Sequence, residues 1–318
     1  DMSGKTFASP LADRLLAYVE LQRALGFRFE EQLAHLHAFD QYLRRQGGTP
    51  TVTQELAIAF ATGDPDSSWN RRARRYQVVR RFAEYLTTFD PRTPILDPKA
   101  LPRPTRQPPR HILTDEELAR VLHEAQHVSP CYPVCGVTIH AMVGLAASTG
   151  LRISEVVRLD KADADLQTGV LLVRRSKFGK DRYVPVHPTT LEVLRGYAAV
   201  RDAAYPDCHD PAFFLTMWQK RFVRNTLQQT FCKLARRVCL RGPRGRGLSF
   251  HSLRHRFAVK RLVAWYRAGV DVQAMLPALA TYMGHVHYSD TAYYLTATAE
   301  LMGLAADRHH GRQQEVEP

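Results

Sequence analysis

The chain has 318 residues, enough for two domains, one of which can bury a sizeable core. With 45% hydrophobic and 24% charged residues it has the composition of a globular protein, and no run approaches the roughly 18 apolar residues of a membrane span. Lys and Arg outnumber Asp and Glu by 44 to 31, a net charge of +13, which favours a polyanionic partner, nucleic acid first and an acidic membrane second.

The N-terminus lacks a basic segment followed by an apolar one, so no secretory signal is expected. From there to residue 90 the periodicity is helical. Leu11, Leu15, Tyr18 and Val19 mark one stripe, ending near Gly26; Phe29, Leu33, Leu36, Phe39 and Leu43 mark a second, ending at Gly47-Gly48. A short helix is expected after Thr51, with Gln54 completing a capping box. A fourth runs from about Ser68 to Leu86, with Tyr76, Val79, Ala83 and Leu86 on its core face and Arg71, Arg74 and Arg81 on the opposite one. Residues 8–90 thus read as a small all-α domain.

Seven prolines between Pro91 and Pro109, with Arg103, Arg106 and Arg110 among them, mark residues 91–110 as an extended, semi-rigid basic linker. A second domain, residues 111–310, opens on the capping box Thr114-Asp115-Glu116-Glu117. An apolar helix over 134–147 leads to a Thr149-Gly150-Leu151-Arg152 turn and a short helix containing Glu155. Residues 170–174 and 182–186 alternate like strands around a turn at Gly179, which predicts a β-hairpin. Pro188 suits the first turn of the next helix, and helical patterns dominate to about Arg308, leaving 311–318 as a tail. The fold class expected is mainly α with a small β-sheet.

Five cysteines, odd in number and without pattern, are expected to be reduced cytoplasmic thiols. Cys131-x-x-x-Cys135 has no second pair, so no zinc site is expected there. The residues able to carry chemistry are cationic or phenolic. His251 and Arg254 stand three apart at the start of a helix, beside free backbone N–H groups suited to an anion. Arg152 lies in the glycine turn, where a surface or C-cap arginine is the ordinary reading. Lys177 sits at the hairpin tip among Arg174, Arg175, Lys180 and Arg182, as edge-strand charge or as a DNA contact and proton donor. Tyr294 follows Tyr293; a nucleophilic tyrosine needs a base and nearby cations to hold the phenolate.

Taken together, Thr149-Gly-Leu-Arg152, the hairpin lysine, His251-Ser-Leu-Arg-His255 and Gly284-His285 with Tyr294 nine residues beyond the histidine resemble the motifs of the tyrosine site-specific recombinases, the phage integrase family. The resemblance spans about Thr114 to Met302 and, more loosely, the N-terminal helical domain. It implies Arg152, Lys177, His251, Arg254, His285 and Tyr294 as the catalytic set, with Lys177 preferred to Lys180, Tyr294 to Tyr293, and His255 structural. It also implies a C-shaped, two-domain clamp in which the helical core-binding domain grips DNA opposite the catalytic domain. Arg71, Arg72, Arg74, Arg75, Arg81, Arg175, Lys180, Arg244 and Arg246 are the DNA-binding candidates. The implied partners are double-stranded recombination sites and further copies of the chain, as a tetramer on two duplexes. No cofactor and no membrane are implied. Arg256, Asp290, Val286-His287-Tyr288 and the basic Arg241–Arg246 segment depart from the family pattern, and the implied role leans towards a mobile-element integrase. Two alternatives share the scaffold: strand relaxation of the type IB topoisomerase kind, and non-catalytic DNA binding. A zinc nuclease built on His285-x-His287 with Cys208-His209 ranks below both.

Overall fold

The chain divides into two units, Asp1–Gln107 and Pro108–Pro318, and among the described residues four helices build the first. The computed structural model describes residues 6–27, 29–48, 51–101, 111–128, 133–174, 180–242, 245, 247–285, 291–296 and 300–306, with the backbone alone at Pro133, Tyr293 and Thr296. The helices of the first unit are α1 (Ala12–Ala24), α2 (Glu30–Arg45), α3 (Gln54–Thr62) and α4 (Trp69–Leu86). The stripes that the periodicity selects form the core: Leu15, Leu36, Phe39, Leu43, Tyr76, Val79 and Ala83 are all fully buried.

Two local expectations change in this unit. The helix expected after Thr51 is α3, and its N-cap is Thr53, whose hydroxyl accepts from Leu56 N at 3.3 Å. Gln54 forms no box with Thr51, because its side-chain oxygen accepts from the distant Asp97 N at 2.9 Å. The second change concerns the linker, expected over 91–110. Its first part, to Leu101, is packed on the helices: Leu96 and Leu101 enter their core, and Tyr76 Oη donates to Asp97 O at 2.6 Å. Prolines forbid a helix here, but an extended chain can still bury two leucines, each worth about 1.5–3 kcal/mol. Residues 102–110 lie outside the described residues.

The second unit contains α5 (Asp115–Gln126), α6 (Pro133–Thr149), α7 (Ile153–Arg158), a 3-10 turn (Lys161–Asp163), β1 (Ala164–Asp165), β2 (Val170–Val173), β3 (Arg182–Pro185), α8 (Pro188–Ala204), α9 (Arg224–Arg237), α10 (His251–Arg267), α11 (Val272–Met283) and a 3-10 turn (Tyr293–Thr296); residues 300–306 are again helical. The Thr114–Glu117 capping box forms, and Pro188 starts α8 as expected. The predicted hairpin is β2–β3, antiparallel with Val170 opposite Pro185 and Val173 opposite Arg182. The two-residue β1 extends it to a three-stranded sheet of order β1-β2-β3. Helix α6 is the axial element of the unit, with Ala141, Met142, Val143, Leu145 and Ala146 all fully buried. A second apolar cluster joins α10 and α11 to Tyr294 and Leu301. Among the described residues no helix is long and apolar enough to cross a membrane.

Candidate active site

The last turn of an α-helix leaves its carbonyls without helical partners and concentrates partial negative charge there. At the end of α11, three successive carbonyls are met by three arginines from separate elements. Tyr282 O accepts from Arg182 Nε at 2.8 Å, Met283 O from Arg254 Nη2 at 2.6 Å, and Gly284 O from Arg152 Nη2 at 2.8 Å. Gly284 closes the helix in the left-handed conformation, with φ +65°. A Cβ there would lie 2.9 Å from Arg182 Nη1 and 3.4 Å from Arg152 Nη1, so glycine is what lets the guanidinium groups close on the helix end.

Arg152 does not cap the C-terminus of α6; it is the N-cap residue of α7. The turn before it needs Gly150, whose φ is +66° and whose Cβ would fall 2.5 Å from the Phe257 ring. Glu155 holds Arg152 at both ends: its carboxylate accepts from the backbone N at 2.9 Å and from Nη1 at 2.8 Å. The same two oxygens take the fork of Arg182, at 3.0 and 2.9 Å. Burial pushes the Glu155 carboxyl up, but hydrogen bonds and charge from Arg182, then from Arg152, more than offset it and hold the group below the usual carboxylate range.

Arg254 was expected to face the free N–H groups at the start of α10. It instead reaches across the unit, donating from Nη1 to Gly150 O at 2.7 Å as well as to Met283 O. It is 1% exposed. Burial, and then the neighbouring charge of Arg152, lower its pKa to about 10. It therefore stays cationic at neutral pH, and two guanidinium groups stand side by side. The His285 ring is fixed through Nδ1, 2.7 Å from the hydroxyl of the buried Thr291. The Tyr294 ring lies 6.2 Å from the His285 ring and 5.3 Å from that of His255, which in turn makes an edge contact with His251 at 4.5 Å. Tyr294 is 3% exposed, whereas His251 is exposed at the start of α10. Five of the six expected catalytic residues thus converge on the end of α11 and the start of α10; Lys177 lies outside the described residues.

The phage integrase family model matches residues 111–300. The chain belongs to the phage integrase family. Over 302 residues it is 44% identical to a Sinorhizobium fredii protein named as an integrase/recombinase, y4rE, covering 95% of this chain and 96% of that protein. It is 28% identical over 281 residues to the tyrosine recombinase XerD of Ralstonia nicotianae, covering 87% of this chain and 86% of the relative. Among solved structures, the integrase of transposon Tn1549 in complex with transposon right-end DNA superposes with a TM-score of 0.69 at 17% identity, covering 95% of this chain and 99% of that one. The family consists of tyrosine recombinases, enzymes that cleave and rejoin DNA.

Within this integrase-family site, sequence reasoning missed Glu155, Arg182 and Thr291. Two of them left a signal. Glu155 stands three residues after the helix-capping Arg152, the spacing of a capping box. Arg182 is two residues before the buried Val184, on the inward side of β3. Arg256, a departure from the family pattern, is a staple: its Nε donates to Leu113 O at 3.1 Å and its Nη2 pairs with Asp115 at the start of α5.

The DNA-binding candidates divide. Arg71, Arg74 and Arg81 are exposed along one face of α4, with Arg74 paired to Glu31 of α2 at 3.1 Å. Arg72 donates to the carbonyls of Asp64 and Pro65, and Arg75 stacks 4.2 Å above the Phe60 ring. Lys180 is exposed, while Arg175, Arg244 and Arg246 lie outside the described residues. Among the described residues no cluster of His, Cys, Asp or Glu could hold a metal, and His287 is outside them.

Proposed function

We propose that the chain is a site-specific DNA recombinase that cuts and rejoins strands through Tyr294. The observation carrying this reading is the convergence of Arg152 and Arg254 on the end of α11, one residue from His285, with the Tyr294 ring beside that histidine. Tyr294 Oη forms a bond to the scissile phosphorus as the bond to the 5′-oxygen breaks, leaving a 3′-phosphotyrosine and a free 5′-hydroxyl. Arg152 and Arg254 hold the non-bridging oxygens as charge accumulates in the transition state; loss of one such donor costs about 3–4 kcal/mol. The reading uses the His285 tautomer in which Nδ1, 2.7 Å from the Thr291 hydroxyl, accepts from it and Nε2 carries the proton donated to the phosphate. His251 takes the phenolic proton, and Lys177 returns one to the departing 5′-oxygen. The partner strand's 5′-hydroxyl then reverses the step. The bond energy is kept in the phosphotyrosine, so the reading requires neither ATP nor a divalent ion. Because Tyr294 is 3% exposed, the segment that carries it has to shift when DNA binds.

The 44% identity to a protein named integrase/recombinase favours strand exchange over supercoil relaxation, and a mobile-element role. In this reading four copies assemble on two sites, and the protein works on cytoplasmic DNA. The test uses a duplex that the full chain selects from a random-sequence pool, nicked beside the position that the wild-type chain cleaves. The wild-type chain should form a covalent adduct in the presence of excess chelator, whereas Tyr294→Phe should bind and form none. A normal adduct yield from Tyr294→Phe would remove the assignment.

A further inference from the structure

Arg182 stands behind Arg152, and its placement carries an inference that rests on the reading above. An ionised carboxylate offers about four acceptor positions. Those of Glu155 are filled by Arg152 N, Arg152 Nη1, Arg182 Nη1 and Arg182 Nη2, all within 3.0 Å. The three guanidinium nitrogens of Arg182 all have protein acceptors: Nε the Tyr282 carbonyl, and the two Nη atoms Glu155. Its side chain is 12% exposed. Three of the five N–H groups of Arg182 are thus committed to protein acceptors, the Nε–H and one on each Nη, in a side chain that borders the phosphate-binding pair.

We propose that Arg182 is a positioning residue for strand cleavage, which neutralises Glu155 so that the charge of Arg152 is left for the scissile phosphate. The alternative geometry is simple. A carboxylate and a guanidinium in contact prefer two parallel hydrogen bonds. With Arg182 in place, Glu155 takes one guanidinium nitrogen of Arg152, and Nη2 of Arg152 remains on the Gly284 carbonyl. Without Arg182, two acceptor positions of a buried anion fall vacant next to Arg152. The Arg152 fork turns onto them, leaves Gly284 O, and becomes half of a neutral pair. The positive charge facing the phosphate then falls from two guanidinium groups to Arg254 alone. Stability by itself does not account for the arrangement, because a buried ion cluster is often matched or bettered by apolar side chains of similar volume. Holding Glu155 at this point gives Arg152 its direction, and Arg182 cancels the charge that the direction would otherwise cost.

The test again uses the full chain and the nicked selected duplex, with single-turnover adduct formation and DNA affinity measured separately. Arg182→Met should slow adduct formation by about 100-fold while changing affinity by no more than about threefold. Adding Glu155→Gln removes the anion that captures Arg152, so the double variant should regain at least about tenfold of the lost rate. A purely structural role for Arg182 predicts the reverse, since the second substitution removes another buried contact. If Arg182→Met lacks a cooperative melt, Arg182→Lys against Arg182→Gln gives the same reading: the lysine keeps the neutralising charge and should cleave at least about tenfold faster. The inference is overturned by an Arg182→Met rate within about threefold of wild type, by a double variant no faster than the single, or by lysine and glutamine variants of equal rate. Absence of any adduct from the wild-type chain would instead remove the proposed function itself.

Discussion

Gly284 shows how narrow the tolerances around the end of α11 are. Its φ of +65° is unfavourable for any residue with a Cβ, and that atom would press on the Arg182 guanidinium and touch that of Arg152. Gly284→Ala should therefore cost about 1–2 kcal/mol from the backbone alone. It should also slow adduct formation by about tenfold or more through the displaced guanidinium groups, as thermal melts and single-turnover rates can check. Glu155 gives a pH-dependent counterpart. Its folded pKa is depressed, so its stabilisation is complete above the ordinary glutamate value of about 4.3 and is lost as pH falls through its own lower value. Glu155→Gln should destabilise the chain by about 3 kcal/mol at neutral pH, with the loss shrinking below about pH 4 in acid melts. The residues proposed to touch the phosphate stood out in the sequence because their arginine, histidine and tyrosine spacings resemble the integrase motifs. The roles of Arg182 and Thr291 were not readable: alternation along β3 marks Arg182 as inward-facing, but each residue acts through another side chain that comes near only after folding.

At the scale of the element, α4 separates two uses of arginine. Arg71 and Arg74 project from its exposed face, whereas Arg72 is committed to carbonyls of the preceding loop. If the exposed face meets phosphates, Arg71→Ala and Arg74→Ala should each weaken DNA binding across all sequences and lower the slope of log affinity against log salt by about one. Arg72→Ala should leave that slope unchanged and cost about 1 kcal/mol of stability. Binding titrations at several salt concentrations, paired with melts, distinguish the two classes. Helices α1, α2 and α4 were readable because a repeat of 3.6 residues leaves a stripe in the sequence. The packing of residues 91–101 was not, since two leucines in a proline-rich stretch have no period, and their burial depends on a groove that helices elsewhere create. The two-residue β1 is too short to leave any pattern and exists through its pairing with β2.

For the whole molecule, the tetramer that the resemblance implies needs a contact between copies, and the C-terminal segment is a candidate for it. In this chain Leu301 is fully buried in its own unit, in the same cluster as Phe257, Met283 and Tyr294, and Leu295 and Leu304 pack against that cluster. Met302, one residue on, is 57% exposed. Removing the segment from Glu300 onward would therefore not isolate docking. It strips Leu301 from the core that surrounds the proposed nucleophile, and the loss of a buried leucine side chain alone costs about 2–5 kcal/mol. Met302→Asp separates the two roles. An exposed side chain changed to aspartate should alter folding by no more than about 0.5 kcal/mol. The charge would nevertheless be costly to bury against an apolar partner surface. The expected result is a chain that melts like wild type, forms the Tyr294 adduct on a single nicked duplex, and fails to bring two duplexes together in sedimentation or gel-shift measurements. If Met302→Asp assembles paired duplexes as well as wild type, the segment serves its own unit through Leu301, and the contacts between copies lie on another surface.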